Sequence, residues 1–272
     1  DDAAEPVLAL VERDPDLAIF QVVRQEAAGK GAYGIAHSVH TAIASYLVAQ
    51  RLGWGGDAVE RVFKAALTMN LAMVELQNRL ATQVTPLTEA QRELINDHPH
   101  RSAELLEASG VTDADWLAAV REHHEMPGGQ GYPKGNQEVC EMAALLRRVD
   151  IYTAKLSPRN TRVALPANQA GRDLFLQDSQ HPMAAAVVKE FGVYPPGCLV
   201  QLQCGEMGIV IKRGPTANTP VVAALTSRTG DTLLEPARRS TDHNGYGVVG
   251  VVSESALRVR VSPEKLVTLA AR

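Results

Sequence analysis

The stretch Arg121–Pro133 reads R-E-H-H-E-M-P-G-G-Q-G-Y-P. Two adjacent histidines, His123 and His124, close a helical pattern whose apolar face is Trp116, Leu117 and Val120, and a glycine-rich turn follows at once. Neighbouring helix positions point about 100° apart, so the pair can flank one metal cluster from adjacent sides. Two histidines at a helix end serve equally well as solvated side chains. What weighs between these readings is the rest of the chain: His37 upstream, His98 before a proline, and Asp150 downstream in an apolar helical pattern.

Upstream, Leu8, Val11, Leu17, Phe20 and Val23 fit short helices broken near Pro15. Ile35, Val39, Ile43, Tyr46 and Leu47 follow helical spacing until Gly53, which leaves His37 off the main stripe. Asp57 is expected to cap a long helix reaching about Leu80, with Phe63, Leu67, Asn70 and Val74 on one face. That places the amide of Asn70 on the buried side, where it needs partners. Thr88 and Gln91 have capping-box spacing, and Pro99 is expected to interrupt the helix they open.

Downstream, Val139, Met142, Leu146, Val149, Tyr152 and Leu156 mark another helix, stopped by Ser157-Pro158. Asp150 lies near that stripe, and a buried carboxylate needs a metal, an arginine or a hydrogen-bonded histidine. Helices are expected near Ala167–Gln177 and Pro182–Phe191. The period then changes at Tyr194-Pro195-Pro196-Gly197. Cys198–Gln203 and Met207–Arg213 read as strands joined at Gly205-Glu206, and Val221–Ser227, Thr232–Leu234, Gly247–Val252 and Leu257–Val261 continue the pattern. The expectation is a mainly α chain: a helical domain over 1–192, then a small antiparallel β module over 193–272, α+β overall.

The net charge of −4 and pI near 6.1 argue against a nonspecific DNA binder. No apolar run reaches membrane-spanning length and no secretory leader is visible. Cys140, Cys198 and Cys204 are odd in number and lack zinc-site spacing, which suits a reducing cytoplasm. The first residue is Asp1 rather than methionine, so a fragment of a longer protein is expected.

From about Tyr33 to Arg162 the chain resembles the HD-GYP family of bacterial cyclic di-GMP phosphodiesterases. The matching residues fall in the family's order: His37-Ser38, Ala65-Ala66-Leu67, His98-Pro99, His123-His124-Glu125, Gly131-Tyr132-Pro133, Asp150 with Tyr152, and Arg159 with Arg162. The resemblance implies a helical bundle holding two or three metal ions, usually iron or manganese, that hydrolyses cyclic di-GMP. It also implies departures. Met69-Asn70 stands where the family has its His-Asp pair, Met73 where it has a phosphate-contacting lysine, Tyr33 where it has a glutamate, and Gly128 where it has an aspartate.

Asn70 brings no charge with which to bridge two divalent ions, and the Met69 thioether is a weak ligand for iron, manganese or magnesium. By the resemblance, His37 and Asp150 remain at one metal position, and His98, His123 and His124 at another. That set suits one divalent ion (iron, manganese, zinc or nickel), with no ion as the alternative. Gly131, Tyr132, Pro133, Arg159 and Arg162 are implied as a recognition surface for cyclic di-GMP, a GGDEF-type cyclase domain or a second copy of the chain. Three functions stay open: a weak or inactive signalling protein that binds nucleotide or partner, an active phosphohydrolase with a reduced metal site, and a scaffold.

Overall fold

The computed structural model describes residues 4–25, 32–178, 181–253, 256 and 262–270. They form two spatial units, and chain order does not separate them: residues 27–165 and 177–187 make one, and residues 1–26, 166–176 and 188–272 the other. The helices expected at the N-terminus therefore belong with the sheet, not with a 1–192 helical domain.

The first unit is built on α3 (Tyr33–Arg51), the third helix after α1 (Glu5–Arg13) and α2 (Pro15–Arg24) of the other unit. The expected stripe on α3 holds at Ile43, Tyr46 and Leu47, which are buried, but fails at its first residue. Ile35 is 60% exposed while His37 is buried, and from Thr41 to Ala49 every residue is buried. A helix enclosed on all sides follows its neighbours rather than a single apolar stripe. Next come α4 (Gly56–Thr68), α5 (Val74–Thr82), α6 (Glu89–Ala108), α7 (Ala114–Glu122) and α8 (Glu141–Leu156). Tyr46 of α3 meets Phe63 of α4 edge to face at 6.2 Å, a geometry favoured by the ring quadrupoles. Two polar rungs join α3 to α8: His37 to Asp150 at 2.8 Å, and Thr41 to Thr153 at 2.9 Å.

The long helix expected from Asp57 to Leu80 is two helices. Its start is Gly55 in an extended conformation, with Asp57 in the first turn. The break falls at Asn70, beyond which Leu71–Met73 form a single 3-10 turn. The amide of Ala72 bonds the Ser102 hydroxyl of α6 at 3.1 Å, so a neighbouring helix satisfies backbone that the α-helix releases. By contrast, α6 runs straight through Pro99 after the expected Thr88–Gln91 capping box.

In the second unit, Asp14 caps α2 by accepting from the Leu17 amide, and Pro15 holds the first helical position. Strands β1 (Leu199–Leu202), β2 (Met207–Lys212), β3 (Val221–Thr226), β4 (Thr232–Ser240) and β5 (Val248–Val251) form an antiparallel sheet in the order β4-β3-β2-β1-β5. β4 runs further than its Thr232–Leu234 signal because it is an edge strand, where Pro236 is tolerated. Leu17 and Phe20 pack with Leu199, Ile209, Ile211, Ala223, Leu225 and Ala270. Ala270 belongs to the terminal helix Pro263–Ala270, which follows α9 (Ala167–Gln177) and α10 (Pro182–Phe191) and becomes α11. Glu206, in the β1–β2 turn, takes a two-pronged bond from Arg239 of β4 at 2.7 and 2.9 Å. The strand expected at Leu257–Val261 lies outside the described residues.

Candidate metal centre and nucleotide cavity

His98 and His123 are held in the same way, by different backbone devices. Pro99 has no N–H, so the Ile95 carbonyl loses its helical partner, and His98 Nδ1 donates to it at 2.6 Å. His123 lies just past the last residue of α7, where carbonyls run out of in-helix donors, and its Nδ1 donates to Val120 at 2.7 Å. A carbonyl can only accept, so each Nδ1 carries the ring proton and each neutral ring is left with a bare Nε2. Those two Nε2 atoms face each other at 3.1 Å.

Two lone pairs at that distance repel unless they share a cation. Nitrogens about 2.1 Å from one ion lie roughly 3.0 Å apart at a right angle and roughly 3.4 Å apart at the tetrahedral angle. The observed spacing falls between these values. His124 completes the set: one ligand atom from each of His98, His123 and His124 lies within 4.8 Å of the others. Burial drives His98 down to about 3, aided by His123, and burial likewise lowers His123 and His124. All three rings are therefore neutral near pH 7, the form that binds metal. The donors fit one divalent ion.

A cavity of about 220 Å³ opens beside this cluster, lined in part by His37, Asn70, His98, His124, Tyr132, Asp150 and Arg159. Of the three partners open to Asp150, the structure chooses a histidine: His37 Nε2 lies 2.8 Å from its carboxylate. Burial opposes charge on Asp150, but the His37 bond and the neighbouring rings of His37, His124 and His123 outweigh it and hold the carboxyl well below the usual range. Met69 and Asn70 part company. Asn70 reaches the cavity, whereas Met69 is wholly enclosed in the core and does not line it.

The glycine-rich turn is tied down from below. Glu125, almost wholly buried, accepts from the amides of Lys134 at 2.7 Å and Asn136 at 3.0 Å. Gly131 is needed by the loop itself, since a Cβ there would lie 2.3 Å from the Met126 nitrogen. Tyr132 stacks on His124, centroids 4.6 Å apart, and Pro133 is exposed at the loop surface. Arg159 donates through Nε and Nη2 to the Tyr33 hydroxyl at 3.0 and 2.7 Å. Tyr33 thus orients a cavity arginine. Arg162 is not brought in: it is exposed, and its guanidinium folds back onto the Ala154 carbonyl.

Helical cluster, histidine set and loop together have the layout of an HD-type site, and residues 21–181 match the HD domain family. The chain belongs to the HD domain family. It is 27% identical over 231 residues to a cyclic di-GMP phosphodiesterase of Pseudomonas aeruginosa, covering 83% of this chain and 55% of that protein. It is 28% identical over 135 residues to the cyclic di-GMP phosphodiesterase response regulator RpfG of Xanthomonas campestris pv. campestris, covering 48% of this chain and 35% of that one. The chain thus spans about half the length of the first relative and about a third of the second. In fold it is similar to an HDG"Y"P protein from Bdellovibrio bacteriovorus, with a TM-score of 0.53 and 17% identity over 70% of this chain and 60% of that one. Among the described residues no helix is long and apolar enough to cross a membrane.

Proposed function

We propose that the chain is a cyclic di-GMP signalling protein of HD-GYP type that binds the nucleotide beside a single divalent ion and hydrolyses it weakly or not at all. The observation that carries this is the opposed pair of bare Nε2 atoms of His98 and His123, 3.1 Å apart, with His124 completing the set. When bound, a divalent ion on these imidazoles supplies positive charge for a phosphate oxygen. His37 and Asp150 satisfy each other, and Asn70 adds no negative charge, so a second ion has little carboxylate to hold it.

Residues of the chain do the rest of the recognition. Arg159, oriented by Tyr33, brings a cation to the cavity in the absence of the lysine replaced by Met73. Tyr132 offers an aromatic face beside His124, and burial pushes its hydroxyl up, keeping it neutral. The outer surface of the Gly131-Tyr132-Pro133 turn is the face for a GGDEF-type cyclase domain or a second copy of the chain.

The test is elemental analysis beside calorimetry with cyclic di-GMP and a turnover assay. The expected result is one metal per chain, nucleotide binding weakened by Tyr132→Ala and Arg159→Ala, and little product. Two or three tightly held metals with brisk turnover would favour the active phosphohydrolase. No metal and no nucleotide would favour the scaffold. A pull-down against cyclase domains and sedimentation of the purified chain check the protein partners.

A further inference from the structure

One long face of α6 is left uncovered among the described residues. The inner side of the helix, with His98, Pro99, Ser102, Ala103 and Leu106, is buried, and α6 packs on α7 and on the Leu71–Met73 turn. On the other side Ala90, Leu94, Asp97, Arg101, Leu105 and Ala108 are all exposed. They stand four, three, four, four and three residues apart. At 3.6 residues per turn that spacing keeps all six on one stripe. Both of its leucines are open to solvent, Leu94 at 39% and Leu105 at 50% exposure. Leu71, 43% exposed, widens the apolar edge, because its neighbour Ala72 is bonded to Ser102, one turn before Leu105. Single exposed leucines are ordinary, whereas three along one edge of a helix form a patch.

The stripe is complementary to itself. A second copy turned antiparallel about a twofold axis near Pro99 sets Ala90 against Ala108, Leu94 against Leu105 and Asp97 against Arg101, each contact occurring twice. A parallel copy in register would instead set Asp97 on Asp97 and Arg101 on Arg101, so the charges select the antiparallel arrangement. Within one chain Asp97 and Arg101 pair at 3.0 Å, and both are half-exposed. Across the axis the two pairs close into a ring of alternating charge. Glu93 and Glu104 fall on the outer flank of the stripe, a wet rim where like charges are screened. We infer that this face of α6 is a docking surface for a second copy of the chain, held as a twofold antiparallel helix pair. A helix of twenty residues is about 30 Å long, enough for one side of a small interface, so the dimer is a weak one. The face is separate from the Gly131-Tyr132-Pro133 turn, and the inference does not rest on the nucleotide reading.

The experiment is sedimentation velocity over a concentration series from the low to the high micromolar range. It compares wild type with Asp97→Arg, with Arg101→Asp, with both changes in one chain, and with an equimolar mixture of the two single variants. Wild type is expected to move from 29.2 kDa toward twice that mass as concentration rises. Each single exchange sets like charges opposite each other twice and should weaken association about tenfold or more. The double exchange should restore it, because opposite charges face each other again. The mixture should recover too, since its mixed dimer sets arginine against aspartate at both contacts. Recovery in the mixture cannot come from refolding, as neither chain has changed. Should a charge variant fail to fold by circular dichroism, Leu105→Lys, at another exposed position, gives the same separation of dimer from monomer. A wild type that stays at 29.2 kDa throughout would overturn the inference. A dimer that both single exchanges leave intact would move the contact to another face and overturn it as well. Loss in the single variants without recovery in the mixture would refute the antiparallel pairing.

Discussion

Pro99→Ala separates stability from metal binding. Proline inside a helix costs about 3 kcal/mol relative to alanine, and α6 carries Pro99 in its middle. In return, the freed Ile95 carbonyl gives His98 Nδ1 a bond worth about 1 kcal/mol. Alanine restores a backbone N–H that competes for that carbonyl. The metal-free protein should then gain about 2 kcal/mol, the difference between those two terms. For a unit of 150–250 residues that raises the melting temperature by roughly 4–8 °C. Losing the fixed tautomer and orientation of His98 should weaken metal binding about 10- to 100-fold, as for other outer contacts to ligating histidines. The assays are thermal denaturation of the chelator-treated protein and competition for zinc or manganese with a chromophoric chelator. A variant that binds metal as tightly as wild type, or melts lower when metal-free, would refute the assignment of Pro99 as the residue that positions His98.

Restoring the family pair with Met69→His and Asn70→Asp together should raise the metal content, while either change alone does little; elemental analysis decides, and an unchanged stoichiometry in a folded double variant would mean that position 69 cannot reach the cavity. Because Met69 is wholly enclosed, the histidine should also cost about 1–3 kcal/mol of metal-free stability by urea denaturation. Glu125→Gln should cost about 2–3 kcal/mol, since one amide oxygen replaces a charged acceptor of two backbone donors; a change in urea midpoint equivalent to less than about 0.5 kcal/mol would count against the clasp. In the other unit, the Arg239 hydrogen bond, against the opposing effect of burial, holds the Glu206 carboxyl below its ordinary value. A depressed carboxyl stabilises fully above its unfolded value near 4.5, and that contribution is lost as pH falls through the lower folded value. Glu206→Gln should therefore flatten the acid limb of stability below about pH 4.5, and an unaltered limb would contradict the pairing.

The proposed metal residues stand out in the sequence because their chemistry is local: histidine before proline, paired histidines at a helix end, and a carboxylate inside an apolar period each need a partner. The strands were legible from their alternation, and α11 was missed although Ser262-Pro263 is a helix-opening pair. The break at Asn70 was hidden because apolar spacing continues across it, and the Ser102 hydroxyl that takes the released Ala72 amide lies thirty residues further on. The exposure of Ile35 was hidden for a similar reason, since the neighbours packed on α3 decide which face is inside. Pro99 was read as an interruption, and only the bond from His98 to Ile95 reveals it as a support. Tyr33 was silent because its part depends on Arg159, a partner that no sequence period links to it.

The order in which the chain threads its two units has a consequence for its making. Phe20 packs with Ile209 in one hydrophobic cluster, although roughly 190 residues separate them. At about 5–20 residues per second, a ribosome needs roughly 10–40 s to deliver the second after the first. Most of the first unit, 27–165, emerges in that interval and can close on local partners. Leu17 and Phe20 meanwhile wait with their apolar faces uncovered. A chain stalled after residue 165 would thus hold every proposed metal ligand and still leave its first two helices without the sheet they pack on, a natural binding site for a chaperone during synthesis.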